Sequence, residues 1–388
     1  SGEDKMIKAA REQGMDVWAI AAHFTQLFHE DTLSLNILTP SIECSATAHM
    51  SHIIEFIKAI QAIGAAYLVA GNLYFDTQQD PHYGQLRGYN TQRNTMNRVE
   101  VDTNKRHNND FVLWFSQGKF TGQAMQWDSP WGVGYPGWHI ECSAMSHHYL
   151  GKEFDIHCGG VDHVAIHHTN EMAQSQAAHG CVSARYWMHG EFLTQDSTKM
   201  SKSSGDFLSL ARLIEMGFSP MDYRYFCFSA HYRKQLAFTE MALSGARTAR
   251  LRLKEKAMGW QEALVPIDTE RAHGMVDDFM DTLYDDLNMP EALAVVWNMV
   301  KDPQPSNNEK LWALQQMEEV LALNLFVKEE ELQPSAHEEQ EVIEVLVELR
   351  QNFRNKRDFI KADDVREQLE KMGIALKDGS DGTTWYRK

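Results

Sequence analysis

The stretch WDSPWGVGYPGWHIECSAMSHHYLGKEFDIHCGGVDHVAIHHTNEMAQS, residues 127–175, governs how the rest of the chain is read. Turn residues separate short apolar pieces here, and Gly, His and Trp are concentrated, a composition better suited to a site than to packing. Cys142, His167 and Glu171 are the metal-ligand candidates, because a thiolate, an imidazole and a carboxylate suit zinc. The i, i+4 spacing of His167 and Glu171 puts both on one helix face, and three ligands with an open fourth position describe a catalytic site. Taken by spacing alone, each residue keeps an ordinary alternative: inert core for the cysteine, a hydrogen-bonded surface position for the histidine. Gly132, Gly134 and Gly137 spell G-x-G-x-x-G, but they follow WDSP instead of an apolar strand, and Pro136 removes an amide a phosphate would need. That string reads as a tight loop. Downstream, KMSKSSG at residues 199–205 sets Lys199 and Lys202 three apart in a polar loop, where both ammonium groups can meet one polyphosphate. No G-x-x-x-x-G-K-[ST] string is present, which argues against P-loop chemistry.

Outward from this centre, residues 5–28 and 52–68 carry apolar positions at helical spacing, notably Ile53, Ile54, Phe56, Ile57, Ile60 and Ile63. Short β-like runs at 73–75 and 111–115 flank a polar stretch, 78–109, which reads as an insertion. Beyond Phe238 the Ala, Leu, Glu, Arg and Met pattern predicts a helical bundle to about Leu325, broken near Pro266 and at 302–308. An acidic linker at 328–339 then leads to a helical pair and to GIALKDGSDGTTWYRK, which suggests a hairpin.

The whole is 388 residues, 43% hydrophobic and 23% charged, an ordinary globular composition that excludes collagen, rods and disorder. No apolar run nears the roughly 18 residues of a membrane helix, so no membrane partner is expected. Five cysteines, an odd number without a dense disulfide spacing, and the lack of a signal-peptide pattern predict a cytoplasmic protein. A net charge of −17 argues against indiscriminate nucleic-acid coating, yet residues 350–388 hold ten Lys or Arg against seven Asp or Glu. The basic tail fits a local polyanion site or, equally, a solvated helix face.

Together these strings resemble the cysteinyl-tRNA synthetase family of class I aminoacyl-tRNA synthetases. The carriers are DFVLW, WDSPWG, PGWHIECSAM, DIHCGG, HHTNEMAQS, WMH, KMSKS, HYRKQL, LNMPEAL, KADDVREQLEKMGI and GTTW, in family order from Asp110 to Trp385, with weaker similarity back to Asp4. The resemblance implies an α/β Rossmann-type catalytic core with a connective insertion, then a helical bundle and a small α+β anticodon-binding domain. The implied boundaries are 1–48 for a helical part of the core, 49–132 for the insertion, 133–190 for the second half of the core, 191–243 for the KMSKS stem-contact segment, 244–333 for the bundle and 340–388 for the anticodon domain. It also implies the partners L-cysteine, ATP with Mg2+ and tRNA(Cys), one zinc per chain, and a monomer. Cys142, His167 and Glu171 fall on three of the family's four protein zinc ligands, and zinc there binds the substrate thiolate.

Carried over residue by residue, Trp138 packs against the substrate cysteine, while His157, Gly159, Gly160 and Asp162 line the sugar and phosphate side of the adenylate. Trp187, Met188 and His189 sit beside the adenine, His168 joins the substrate and ATP set, and Lys199 and Lys202 neutralise the leaving pyrophosphate. No protein nucleophile is expected, because the amino acid's own carboxylate attacks. In the tail Asp378, Thr383, Thr384 and Trp385 stand at anticodon-reading positions, with Arg354, Lys356 and Arg357 as backbone contacts.

Three departures accompany the resemblance. The HxGH motif and the family's first zinc cysteine are not in the sequence, so the expectation is a chain lacking its N-terminal catalytic portion, with a catalytically incomplete tRNA-binding fragment as the alternative. Cys158, His163, Ala165 and Ile166 replace the usual glycine and apolar stretch, and Ser45 and Ala48 replace a basic and a polar residue of the insertion. Two further readings are weaker: a ligase joining cysteine to an amino-sugar does not account for GTTW, and a zinc hydrolase would require HExxH.

Overall fold

The computed structural model describes residues 5–87, 102–116, 124–195, 198–199, 208–260, 267–328, 336–356, 358–371, 373–379 and 382–387. They fall into two compact units, Ser1–Leu323 and Asn324–Lys388. Among the described residues no helix is long and apolar enough to cross a membrane.

The first unit opens with α1 (Lys5–Gln13) and α2 (Val17–Ser34). The sequence pattern suggests one helix here, but Gly14 adopts φ +65° and Asp16 caps a new start, its side chain accepting the Ala19 amide at 2.8 Å. Helix α3 (Met50–Ala62) buries Ile53, Phe56, Ile57 and Ile60 along one stripe. It ends earlier than its apolar text because Gly64 turns left-handed at φ +80°, after which the chain extends into β1 (Ala66–Val69).

Strand β1 pairs antiparallel with β2 (Asn72–Phe75), β2 with β3 (Phe111–Phe115), and β3 with the short β4 (Tyr135–Pro136). The α3 stripe packs on Leu73, Phe75, Phe111, Leu113 and Trp114 of this sheet and on Ile140, Ala144 and Ala173 of the two helices that follow. Each such fully buried side chain contributes about 1.5–3 kcal/mol. The Asp110 carboxylate ties this end together, accepting hydrogen bonds from the Tyr67 hydroxyl, the Thr77 amide and hydroxyl, and the His107 amide at 2.7–2.9 Å.

The glycine-rich string has a steric explanation. A Cβ on Gly134 would stand 1.9 Å from the Phe115 carbonyl oxygen, and one on Gly137 would stand 2.0 Å from that of Val112. The loop lies directly on β3 and carries the chain into α4 (Trp138–Leu150).

Strand β5 (Phe154–Gly160), helix α5 (His167–His179) and strand β6 (Ala184–Gly190) then form a parallel unit, with His157 opposite Trp187 and Gly159 opposite His189. Strand β7 (Leu193–Gln195) lies between β8 (Thr198–Lys199) and β9 (Leu236–Phe238). Between them run α6 (Leu210–Glu215) and α7 (Pro220–Cys227), the latter started by a capping box of Ser219 and Asp222. Helices α8 (Glu240–Gly259), α9 (Thr269–Tyr284), α10 (Met289–Lys301) and α11 (Asn307–Leu321) complete the unit. Asp222 also meets Arg250 of α8 at 2.7 Å, a buried ion pair, and the Arg224 guanidinium donates to the carbonyls of Leu35 and Leu321.

In the second unit α12 (Ala336–Asn355) and α13 (Phe359–Lys371) pair with an antiparallel hairpin, β10 (Ile374–Gly379) and β11 (Gly382–Arg387). Ile343, Leu369 and Ile374 form its core, and Trp385 packs against it.

Candidate active and metal site

The first turns of α4 and α5 and the C-terminal ends of β5 and β6 converge, the usual place for a ligand in a parallel sheet. One ligand atom each from Cys142, His167 and Glu171 lies within 4.8 Å of the others. His167 and Glu171 are buried and Cys142 is half-buried. A second triplet, His157, His168 and Glu171, meets the same distance limit, so Glu171 is shared between two sets.

The donor atoms fit a metal ion. Glu171 Oε1 lies 3.0 Å from His167 Nε2, yet it is buried and makes no hydrogen bond of sound geometry. On its other side His167 Nδ1 stands 2.9 Å from His139 Nδ1, so one of these nitrogens donates and the other accepts. Burial and the neighbouring His167 hold His139 down at about 3, which leaves it neutral. Burial works to raise Glu171, but the His157 and His167 imidazoles beside it outweigh this and hold the carboxyl at about 2. Burial pushes the Cys142 thiol up to about 12, with Glu171 adding to the effect, and raises Glu141 to about 7. The thiol needs a cation to become a ligand.

Around this group stands an aromatic wall. Trp138 is 59% exposed and lies with its ring 4.4 Å from that of His167. His157 contacts His168 at 4.6 Å and Trp187 at 4.8 Å between ring centroids, while His168 Nδ1 and His189 Nε2 are 2.8 Å apart. Gly159 is glycine because a Cβ there would be 2.6 Å from the His168 ring and 2.8 Å from His163. At Gly160 a Cβ would meet the Asp162 carboxylate at 2.5 Å.

The structure thus gathers Trp138, Cys142, His157, Gly159, Gly160, His167, His168, Glu171, Trp187 and His189 in one place, with Met188 on the intervening β6 position. Asp162 lies exposed on the turn after β5. Lys199 belongs to β8, opposite Thr194, but its side chain, like Lys202 as a whole, lies outside the described residues. In the second unit Arg354 is half-buried on α12 and Lys356 is exposed at its end; Arg357 and the Asp378 side chain lie outside the described residues. Trp385 borders a groove with Gln351, Thr383, Thr384, Glu344 and Glu348. Sequence reasoning missed His139, although its i, i+3 spacing from Cys142 is a signal that it shares the helix face.

A family profile described as the tRNA synthetases class I (C) catalytic domain matches residues 2–248. A cysteine–tRNA ligase of Treponema denticola is 40% identical over 413 residues, covering 100% of this chain and 84% of that protein. Cysteine–tRNA ligase 1 of Burkholderia lata is 42% identical over 387 residues, covering 98% of this chain and 79% of the relative. Among solved structures, a Mycobacterium tuberculosis methionyl-tRNA synthetase bound by methionyl-adenylate superposes with a TM-score of 0.52 at 14% identity, over 84% of this chain and 76% of that one, a likeness of class I synthetase fold. With relatives this similar along nearly its full length, the chain belongs to the cysteine–tRNA ligases, enzymes of the class I aminoacyl-tRNA synthetases.

Proposed function

We propose that this chain activates L-cysteine with ATP and transfers it to tRNA(Cys), with a zinc ion held by Cys142, His167 and Glu171. The observation that carries the reading is the convergence of these three donors within 4.8 Å, with a buried Glu171 oxygen left unsatisfied. Zinc bound there supplies a borderline-soft cation for the substrate thiolate, a preference that serine's hydroxyl satisfies far less well.

The side chains do the rest by placement and charge. Trp138 offers an apolar face for the amino acid beside the donor set. Gly159 and Gly160 let the His163 and His168 rings and the Asp162 carboxylate close on the end of β5, and a nucleotide lies beside them with His157, Trp187, Met188 and His189 alongside. The cysteine carboxylate attacks the α-phosphorus of ATP and pyrophosphate leaves, so no protein nucleophile is required. Lys202, assisted by Lys199, neutralises the charge that grows on the departing pyrophosphate. A ribose hydroxyl of the terminal tRNA adenosine then attacks the adenylate carbonyl and AMP departs. Residues 191–243 serve as the stem-contact segment, and the hairpin unit, with Arg354, Lys356, Arg357, Asp378 and Trp385, reads the anticodon end.

The test is exchange of labelled pyrophosphate into ATP driven by cysteine, with serine as control, alongside zinc content. Exchange with cysteine alone and zinc at one or more equivalents per chain is expected. Equal exchange with serine, or zinc-free protein exchanging at full rate, overturns the reading.

A further inference from the structure

The start of α3, with the residue that precedes it, and the end of α4 carry a second convergence of ring nitrogens that the aminoacylation site does not use. His49 Nδ1 lies 2.7 Å from the Ser45 carbonyl oxygen. A carbonyl only accepts, so that nitrogen carries the proton and Nε2 keeps its lone pair. The Tyr149 hydroxyl, 2.8 Å from Nε2, donates to it, and must turn away when that lone pair binds an ion. A backbone carbonyl fixing the tautomer in this way is the arrangement that orients metal-ligating histidines. Three residues on, His52 Nδ1 is buried and makes no hydrogen bond, so a polar atom taken out of water goes uncompensated there. From α4, His148 lies over His52 with ring centroids 3.9 Å apart and an interplanar angle of 38°, although its own position is exposed. One ligand atom of each of the three lies within 4.8 Å of the others.

We propose that His49, His52 and His148 form a second metal site, taking a divalent transition cation of zinc's class. Three imidazoles suit Zn2+, Ni2+ or Cu2+, and the absence of a carboxylate from the set disfavours Mg2+ or Ca2+. Tetrahedral zinc with Zn–N of 2.0–2.1 Å sets nitrogens about 3.3 Å apart, within reach of side-chain rotation from the present spacing. The ion satisfies the orphaned His52 nitrogen and clips the start of α3 to the end of α4. Since α4 also carries Cys142, six residues or about 9 Å before His148, the clip braces the helix that presents the thiolate.

Zinc content of the full chain after equilibration with zinc chloride and removal of excess metal tests this separately from the proposed function. The intact chain should hold two equivalents, His148→Gln one, Cys142→Ser one, and the double variant none. In Cys142→Ser, cobalt chloride should give ligand-field absorption without a thiolate charge-transfer band, and His148→Gln should abolish that absorption. His148 is exposed, so its replacement leaves the core intact. One equivalent in the intact chain, lost with Cys142→Ser and retained in His148→Gln, overturns the second site and leaves the first standing. One equivalent lost with His148→Gln but retained in Cys142→Ser supports the second site and overturns the Cys142 assignment.

Discussion

His139 donates nothing to a ligand set, yet it meets the His167 ring nitrogen to nitrogen at 2.9 Å and so orients that imidazole. His139→Ala should therefore lower zinc affinity about 10- to 100-fold, as loss of an orienting partner does, and the activity defect should shrink when zinc is supplied in excess. A chelator competition gives the affinity directly. Cys142→Ser should reduce bound zinc and raise the KM for cysteine together, whereas a variant with full zinc and unchanged cysteine activation contradicts the ligand role. The triplet Cys142, His167 and Glu171 was legible from residue type and from the i, i+4 spacing on one helix. His139 and the His49, His52 and His148 group were not, because their meaning lies in contacts between different helices.

At the scale of elements, the glycine-rich loop and the α7–α8 contact set the frame. Gly137→Ala forces a methyl to within 2.0 Å of a strand carbonyl, so the loop must leave β3, and the melting temperature should fall by the several degrees that about 1–3 kcal/mol of overpacking produces. The Asp222–Arg250 pair is 1% and 7% exposed, respectively. Arg250→Met should cost about 3–5 kcal/mol by stranding the carboxylate. Asp222→Leu with Arg250→Met should recover only part of this, since Asp222 also accepts the Ser219 amide of the helix cap. Both are read by denaturant unfolding. Asp286, in the turn between α9 and α10, is held at about 2 by hydrogen bonds from Arg233 and Tyr232, below its ordinary 3.8. A depressed carboxyl stabilises the fold above its unfolded value and loses that contribution as pH falls through the folded one. Melting temperature should thus drop between pH 4 and 2, and Asp286→Asn should flatten this part of the profile. Elements with strong periodicity, such as α3 and the β2 and β3 strands, were legible in the sequence. The break at Gly14 and the strand after Gly64 were not, because a left-handed glycine is permitted by the sequence and required only by the packed structure.

For the whole molecule, a net charge of −17 has to coexist with binding a polyanion, so attraction must come from local basic groups and stacking surfaces. Trp385→Ala should leave cysteine-dependent pyrophosphate exchange unchanged while raising the KM for tRNA(Cys) about 5- to 150-fold, the equivalent of a 1–3 kcal/mol stacking loss. An unchanged KM accompanied by a lower melting temperature would assign the side chain wholly to the core of Ile343, Leu369 and Ile374, against which it packs. By itself the sequence determined the family, since strings such as PGWHIECSAM, HHTNEMAQS and KMSKS occur together and in order, and it determined which residue types could bind zinc. Only the tertiary structure decided which candidate donors stand together. Ligation depends on distances of a few ångströms between side chains from different elements, and those distances are set by how α3, α4, α5 and the parallel β5–β6 pair pack.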